Sequence, residues 1–69
     1  MTPRMLQFLE SVAAAGRRGL REWDGRAVVG ANRRGYLEVH VDFAGKPIAI
    51  LLSQGGKAAL RDERRKVRR

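Results

Sequence analysis

Two arginines near the middle of the chain are spaced so that one side of a helix carries both. In the stretch DGRAVVGANRRG, positions 26, 29, 30 and 33 fall on one side of a helix that turns by about 100° per residue. A guanidinium donates two hydrogen bonds to a guanine edge, valine contacts a thymine methyl group, and glycine admits a close backbone. The residues that we expect to contact bases are Arg26, Val29, Gly30 and Arg33.

Basic residues on either side of this stretch have the chemistry to hold phosphate groups. Such contacts fix a protein on a nucleic acid without distinguishing its sequence. Gly30 calls for an explanation, because glycine inside a helix costs about 1 kcal/mol relative to alanine. It either leaves a notch for a phosphate backbone or a partner, or it relieves a clash with a neighbouring segment. The expected phosphate contacts are Arg17, Arg18, Arg21, Arg34 and Lys46.

Residues suited to catalysis or metal binding are sparse. The chain has one histidine, so no set of nucleophile, base and orienting group is indicated. Glu38, His40 and Asp42 alternate on one strand face, but successive members lie about 7 Å apart, which disfavours a shared metal ion. The segment SQGGK lacks the earlier glycine and the following hydroxyl residue of a phosphate-binding loop. We predict no enzymatic activity, no metal and no other cofactor.

The charge balance favours a polyanionic partner. Fifteen lysines and arginines against seven acidic residues give a formal charge of +8 over 69 residues. Phosphate contacts by such residues release condensed counterions, which favours binding to nucleic acid. A GC-rich coding sequence with a solvated basic surface is the alternative that composition leaves open.

Size and apolar patterning predict one small domain over residues 1–69. A chain this short buries only about 60% of the surface that its unfolded form exposes. Without cysteine, neither disulfides nor thiolate metal sites add stability. The longest apolar run, Ile48–Leu52, is too short to cross a bilayer, and the N-terminus lacks the residue order of a signal peptide. We expect a cytoplasmic protein with no membrane partner, associated with the nucleoid if it binds DNA.

The N-terminal segment has the signals of a helix at both ends. Thr2 is a suitable N-cap, and Pro3 suits the first helical position, where its missing N–H is not needed. Apolar residues then recur at i, i+3, i+4 and i+7. Gly16 is suited to the position after the last helical residue. These signals predict a helix over Pro3–Ala15.

The next segment predicts an irregular connection followed by a second helix. Leu20 and Trp23 are three residues apart, so one helical turn would bring both side chains into the core. Asp24 is a suitable N-cap for a helix over Gly25–Arg34. Gly35 permits the left-handed conformation that ends a helix.

After this glycine, the apolar period changes from that of a helix to two. Leu37, Val39, Val41 and Phe43 share one face of a predicted strand. The segment FAGKP has the residues of a turn, and IAILLS predicts the returning strand, so the two strands form a hairpin with its tip near residues 44–46.

The C-terminal part of the sequence predicts a last helix, and the apolar hairpin before it indicates a surface that must be covered. Ser53 is a suitable N-cap for the segment QGGKAALRDERRKVRR, although its two glycines weaken the first turn. Residues 61–69 are expected to form a frayed basic tail. Because Ala49 and Leu51 make the second face of the hairpin apolar, we expect the last helix or a homodimer to cover that face.

Two segments resemble parts of winged helix-turn-helix domains in regulators of the multiple-antibiotic-resistance type. VVGANRRGYLEV resembles the end of the recognition helix and the start of the wing, and IAILLSQGGKAAL resembles the returning wing strand and the basic helix after it. The resemblance covers nearly the whole chain. It implies an α+β fold of helix, short second helix or turn, helix, two-stranded wing and C-terminal helix. The first segment matches at Ala31, Arg33, Arg34, Gly35, Tyr36, Leu37 and Glu38.

This resemblance implies a protein that binds double-stranded DNA. It would be a transcriptional regulator or phage-type control protein that occupies an operator as a homodimer, with Lys46 at the wing tip touching the backbone or minor groove. Two features depart from the family pattern. Only nine residues, Gly16–Asp24, replace the full second helix and turn, and the outer face of the next helix lacks an amide or hydroxyl residue at its centre.

Two other partners remain open. Winged-helix domains also bind proteins, and Val29 with Gly30 offers a surface for an apolar side chain, so the chain is alternatively an interaction module that docks on another protein and modulates it. RNA is a third candidate, disfavoured because most of the four aromatic residues are expected in the core. Fold analogy does not choose among these partners.

Overall fold

The computed structural model describes residues 1–67, in which three helices surround a two-stranded antiparallel hairpin. This confirms the predicted α+β class and the predicted hairpin. None of the helices within these residues has the length and apolarity that a membrane span requires. In chain order the elements are α1 (Pro3–Ala14), a 3₁₀ turn (Gly16–Arg18), α2 (Gly25–Arg33), β1 (Leu37–Val41), β2 (Pro47–Leu52) and α3 (Gln54–Val67).

The first two helices begin at the side chains that the sequence predicts. The Thr2 hydroxyl oxygen accepts a hydrogen bond from the Met5 N–H at 3.3 Å. The Asp24 carboxylate accepts one from the Arg26 N–H at 3.0 Å. Each bond pairs one of the N–H groups that a helix start leaves without a partner. Both predicted N-caps are confirmed.

The end of α2 turns the chain directly into β1. Gly35 has a φ of +75°, as predicted. Its N–H donates to the Asn32 carbonyl at 3.0 Å, and the Tyr36 N–H donates to the Ala31 carbonyl at 3.1 Å. This pair of bonds is a Schellman motif, which pairs the last carbonyls of the helix and redirects the chain.

The connection between α1 and α2 differs from the prediction. Leu20 and Trp23 do not form a helical turn, and the short helical segment lies earlier, at Gly16–Arg18. Leu20 instead exchanges two backbone hydrogen bonds with Ile50, at 2.8 and 3.0 Å, along the free edge of β2. The extended backbone that this pairing requires excludes a helix at Leu20. Trp23 nevertheless packs against the core, as expected.

The second face of the hairpin is covered from within the chain. Gly19 lies so close that a Cβ atom there would be 3.0 Å from the Ala49 Cβ and 2.9 Å from the Leu51 Cδ1. Ala49 is buried and Leu51 is half-buried. The segment around Gly19 therefore supplies much of the cover that was expected from the last helix or a homodimer, and the homodimer stays a prediction.

The start of α3 packs on the end of α2. The Ser53 hydroxyl accepts a hydrogen bond from the Gly56 N–H at 3.0 Å and donates one to the Gly35 carbonyl. A Cβ atom at Gly56 would lie 2.1 Å from the Tyr36 carbonyl oxygen. A side chain there is excluded, so the glycine that weakens the first turn also permits this contact. We call Gly35, Tyr36, Ser53 and Gly56 the α2–α3 junction.

The basic C-terminal segment is helical rather than a tail. Residues 61–67, expected to fray, continue α3, and residues 68 and 69 lie outside the described part of the chain. Leu60 is buried at the start of this stretch. Glu63 then pairs with the N-terminal amine of Met1 at 3.3 Å and with Lys66 at 3.7 Å. The first of these pairs joins the segment to the N-terminus of the chain, just before α1, and the second lies within α3. Each helix and strand contributes to the core, which consists of Leu9, Val12, Ala31, Leu37, Ile50 and Leu60.

Candidate nucleic-acid interface

The second helix has one buried side and one basic side, as the sequence predicts. Ala31 is buried and Ala27 is half-buried, so this side packs against the rest of the protein. Arg26 and Arg33 are exposed on the other side, and Val29 between them is 53% exposed. We call Arg26, Val29 and Arg33 the outer face of α2. The outer face is a convex, solvated surface with a cation towards each end.

Gly30 lies at the border of this face rather than in the middle of it. It is half-buried, and a Cβ atom there would be 3.6 Å from the Met5 Cε of α1. That distance is ordinary van der Waals contact, so Gly30 relieves no clash. The notch expected beside Arg26 and Arg33 is bordered by the Met5 side chain.

A groove between α1 and α2 adds a cation that the sequence analysis missed. The groove has a volume of about 580 Å³ and brings Arg4 of α1 to the same depression as Arg26. Asp24 also lines it, but its carboxylate accepts the Arg26 N–H. We call it the α1–α2 groove. The sequence gives no local signal for Arg4, because its position beside Arg26 depends on how α1 packs on α2.

The five expected phosphate contacts are exposed but do not form one surface. Arg34 directly follows α2, whereas Arg17 lies on the 3₁₀ turn and lines a different groove, beside α3. Lys46 lies in the hairpin turn. The Asp42 carboxylate accepts the N–H groups of Ala44 and Lys46 at 2.9 Å each, which orders that turn. Only part of the predicted set therefore lies next to the outer face of α2.

The arginines are not neutralised within the protein. In residues 1–67, every arginine and lysine is exposed, and no arginine has a carboxylate within 4.0 Å. The ion pairs in this part join Glu63 to the Met1 amine and to Lys66, and the Glu38 carboxylate lies 4.0 Å from the His40 ring. The guanidinium groups therefore present their charge to solvent.

A second groove lies between α1, the hairpin and α3. Its volume is about 500 Å³. Arg17, Lys57, Arg61 and Arg64 line its rim together with Glu38, and four apolar side chains form its floor. We call it the α3 groove. The sequence carries a signal for it, because Lys57, Arg61 and Arg64 recur at i, i+4 and i+7 around Leu60. The floor consists of Val12, Leu51, Leu52 and Leu60.

Three apolar side chains beside the hairpin turn are exposed to solvent. Phe43, predicted on the same strand face as Leu37, is completely exposed, and Val41 and Ile48 are 54% and 44% exposed. The strand face that carries Leu37 into the core continues beyond the other elements. Ile48 is also displaced, because the strand pairing shifts between His40 and Val41. We call Val41, Phe43 and Ile48 the hairpin tip.

The polar strand face gives no metal centre. Glu38 and His40 lie side by side, while the Asp42 carboxylate is engaged by backbone N–H groups. Across the part of the chain that the structure describes, no three potential metal ligands form a cluster.

Comparisons of the chain with protein-family models, with curated proteins and with solved structures gave no match. Its function must therefore be inferred from the residues and their geometry.

Proposed function

We propose that the protein binds double-stranded DNA through the outer face of α2. The observation that carries the proposal is the pair of exposed arginines on that face, Arg26 and Arg33, neither with a carboxylate partner in residues 1–67. A convex helix of this width fits the major groove, which is about 12 Å wide. The formal charge of +8 favours approach to a polyanion.

In this proposal the chain is a compact winged helix-turn-helix, with α2 as the recognition helix and the β1–β2 hairpin as the wing. The order of elements supports it, as does the direct turn from α2 into β1 at Gly35. The pairing of Leu20 with Ile50 replaces the missing second helix by a segment bound to the edge of β2.

In this proposal, some side chains contact bases and others contact phosphates. Arg26 and Arg33 donate to base edges, and Val29 contacts a thymine methyl group. Arg34 and Arg4, next to the outer face, hold phosphates, and Lys46 reaches the backbone beside the wing. The protein would then act as a transcriptional regulator by occupying its site, and a homodimer would occupy two half-sites one helical turn apart.

A salt series with random duplex DNA tests this function. Fluorescence anisotropy of a labelled duplex gives the binding constant at each salt concentration. For about six phosphate contacts, log K should fall with a slope near −5 against log salt. Absence of binding to any duplex at low salt would contradict the proposal and favour the alternative, a module that binds another protein through Val29.

A further inference from the structure

The α3 groove combines an apolar floor with a cationic rim, and no residue that lines it lines the α1–α2 groove or belongs to the outer face of α2. We propose that the α3 groove docks an acidic, amphipathic helix of a protein partner. The proposal goes beyond DNA binding and does not depend on it.

The floor supplies the apolar half of the site. Leu60 and Val12 are buried at its base, and the half-buried Leu51 and Leu52 rise on the hairpin side. A helix that lies in an apolar groove inserts side chains at i, i+3, i+4 and i+7. Leucines at that spacing would cover the part of Leu51 and Leu52 that the chain itself leaves solvated.

The rim supplies the charged half. Lys57, Arg61 and Arg64 form one row along α3, and Arg17 extends from the 3₁₀ turn. Four cations against the single carboxylate of Glu38 leave a charge of +3 among the residues that line the groove. A helix with glutamates beside its apolar stripe therefore complements the rim as well as the floor.

Other occupants fit less well. A lipid or small-molecule site encloses most of its ligand, whereas this groove is open to solvent. A second copy of the chain carries a charge of +8 and meets repulsion at the rim. Duplex DNA would pair with the cations but has no apolar stripe to cover the leucines.

The probe is a fluorescein-labelled peptide of about 15 residues, enough for about four helical turns, with leucines at i, i+3, i+4 and i+7 and glutamates between them. We expect fluorescence polarisation to show saturable binding that weakens with added salt. Two control peptides keep the length: one replaces each glutamate by lysine, and one scrambles the order so that the apolar stripe is lost. Neither control should bind measurably under the same conditions.

Exposed residues of α3 provide matched variants. Lys57→Glu and Arg61→Glu should each weaken binding of the acidic peptide about tenfold, because each removes an attraction and adds a repulsion. Arg65→Glu makes the same charge change on the same helix at a position that does not line the groove, and it should change binding by less than about twofold. Thermal melts of all three verify that the fold is kept.

Two further measurements separate this proposal from DNA binding. The double variant Arg26→Ala, Arg33→Ala should bind the peptide as the parent protein does. In NMR titrations, the peptide should shift the amides of Leu51 and Leu52. The proposal is overturned if the scrambled peptide binds equally well, or if Arg65→Glu weakens binding as much as Arg61→Glu.

Discussion

The outer face of α2 and the α3 groove both present arginines, yet they differ in shape and in what lies between the charges. On α2, the half-exposed Val29 separates Arg26 from Arg33 on a convex helix. In the α3 groove, leucines lie below the row of cations in a concave surface. A convex cationic helix fits into a groove of its partner, whereas a concave cationic surface accepts a helix of its partner. Charge alone indicates an anionic partner, and the surface between the charges indicates which kind.

The two surfaces are joined at the α2–α3 junction. The Ser53 hydroxyl donates a hydrogen bond to the carbonyl of Gly35, just after the end of α2. The absence of a side chain at Gly56 lets α3 pack against the Tyr36 carbonyl. The contact between Gly56 and the Tyr36 carbonyl is backbone against backbone. It therefore fixes the direction of α3 relative to the end of α2. Substitutions at the junction should therefore affect both surfaces, and substitutions on either face only one.

The largest effect is expected for Gly56→Ala. Its Cβ would lie 2.1 Å from the Tyr36 carbonyl oxygen, so α3 or β1 must move. We expect a loss of about 3 kcal/mol in the free energy of unfolding, at the upper end of the cost of overpacking. Urea denaturation measures it. Gly25→Ala is the control, since nothing lies within 4 Å of a Cβ there, and equal stability of the two variants would disprove the close contact.

The next effect separates the arginines by position. Arg26→Ala and Arg33→Ala should each lower affinity for the preferred duplex by about 1–3 kcal/mol and reduce discrimination between sequences. Arg34→Ala and Lys46→Ala should weaken all duplexes about equally, each reducing the salt slope by about 1. Anisotropy titrations with several duplexes measure both quantities. If the first pair behaves like the second, the protein coats DNA without distinguishing sequences.

A smaller effect is expected for Gly35→Val. Gly35 has a φ of +75° but no atom within 4 Å of a Cβ position, so the cost is backbone strain without a clash. We expect about 1–2 kcal/mol of destabilisation in a thermal or urea melt. Gly35→Asn should cost less, because asparagine tolerates the left-handed region better than valine does. An unchanged melt for the valine variant would contradict this assignment of strain.

The smallest effect concerns the far end of α3. Glu63→Gln removes the ion pairs with the Met1 amine and Lys66, and we expect about 0.5 kcal/mol of destabilisation. Amide hydrogen exchange should show the loss of protection chiefly near Glu63. Asp62→Asn, at an exposed neighbour without an ion pair in residues 1–67, is the matched control. Equal exchange in both variants would show that the N-terminal amine does not hold this part of the helix.

Features determined by neighbouring residues were predictable from the sequence. The caps at Thr2 and Asp24, the turn at Gly35 and the change of apolar period each depend on residues a few positions apart. Contacts between distant segments were not. The pairing of Leu20 with Ile50 replaced a predicted helical turn, and no local pattern indicates which strand edge a segment will meet.

The same division applies to the candidate sites. Helical spacing placed Arg26 and Arg33 on the exposed side of α2, where the structure has them. Helical spacing did not predict that Arg4 lies beside Arg26 or that Arg17 lies beside α3, because both positions depend on how the helices pack. Strand alternation places Phe43 on the face of Leu37, but it does not tell that the core ends before Phe43.

The hairpin tip bears on how the protein behaves in concentrated solution. Phe43, Val41 and Ile48 expose an apolar end, while the charge of +8 keeps molecules apart at low ionic strength. The Debye length falls from about 30 Å at 0.01 M salt to about 3 Å at 1 M. Added salt therefore screens the repulsion, while the apolar attraction between exposed tips remains. We expect solubility to fall as salt rises, and Phe43→Ser to restore much of it.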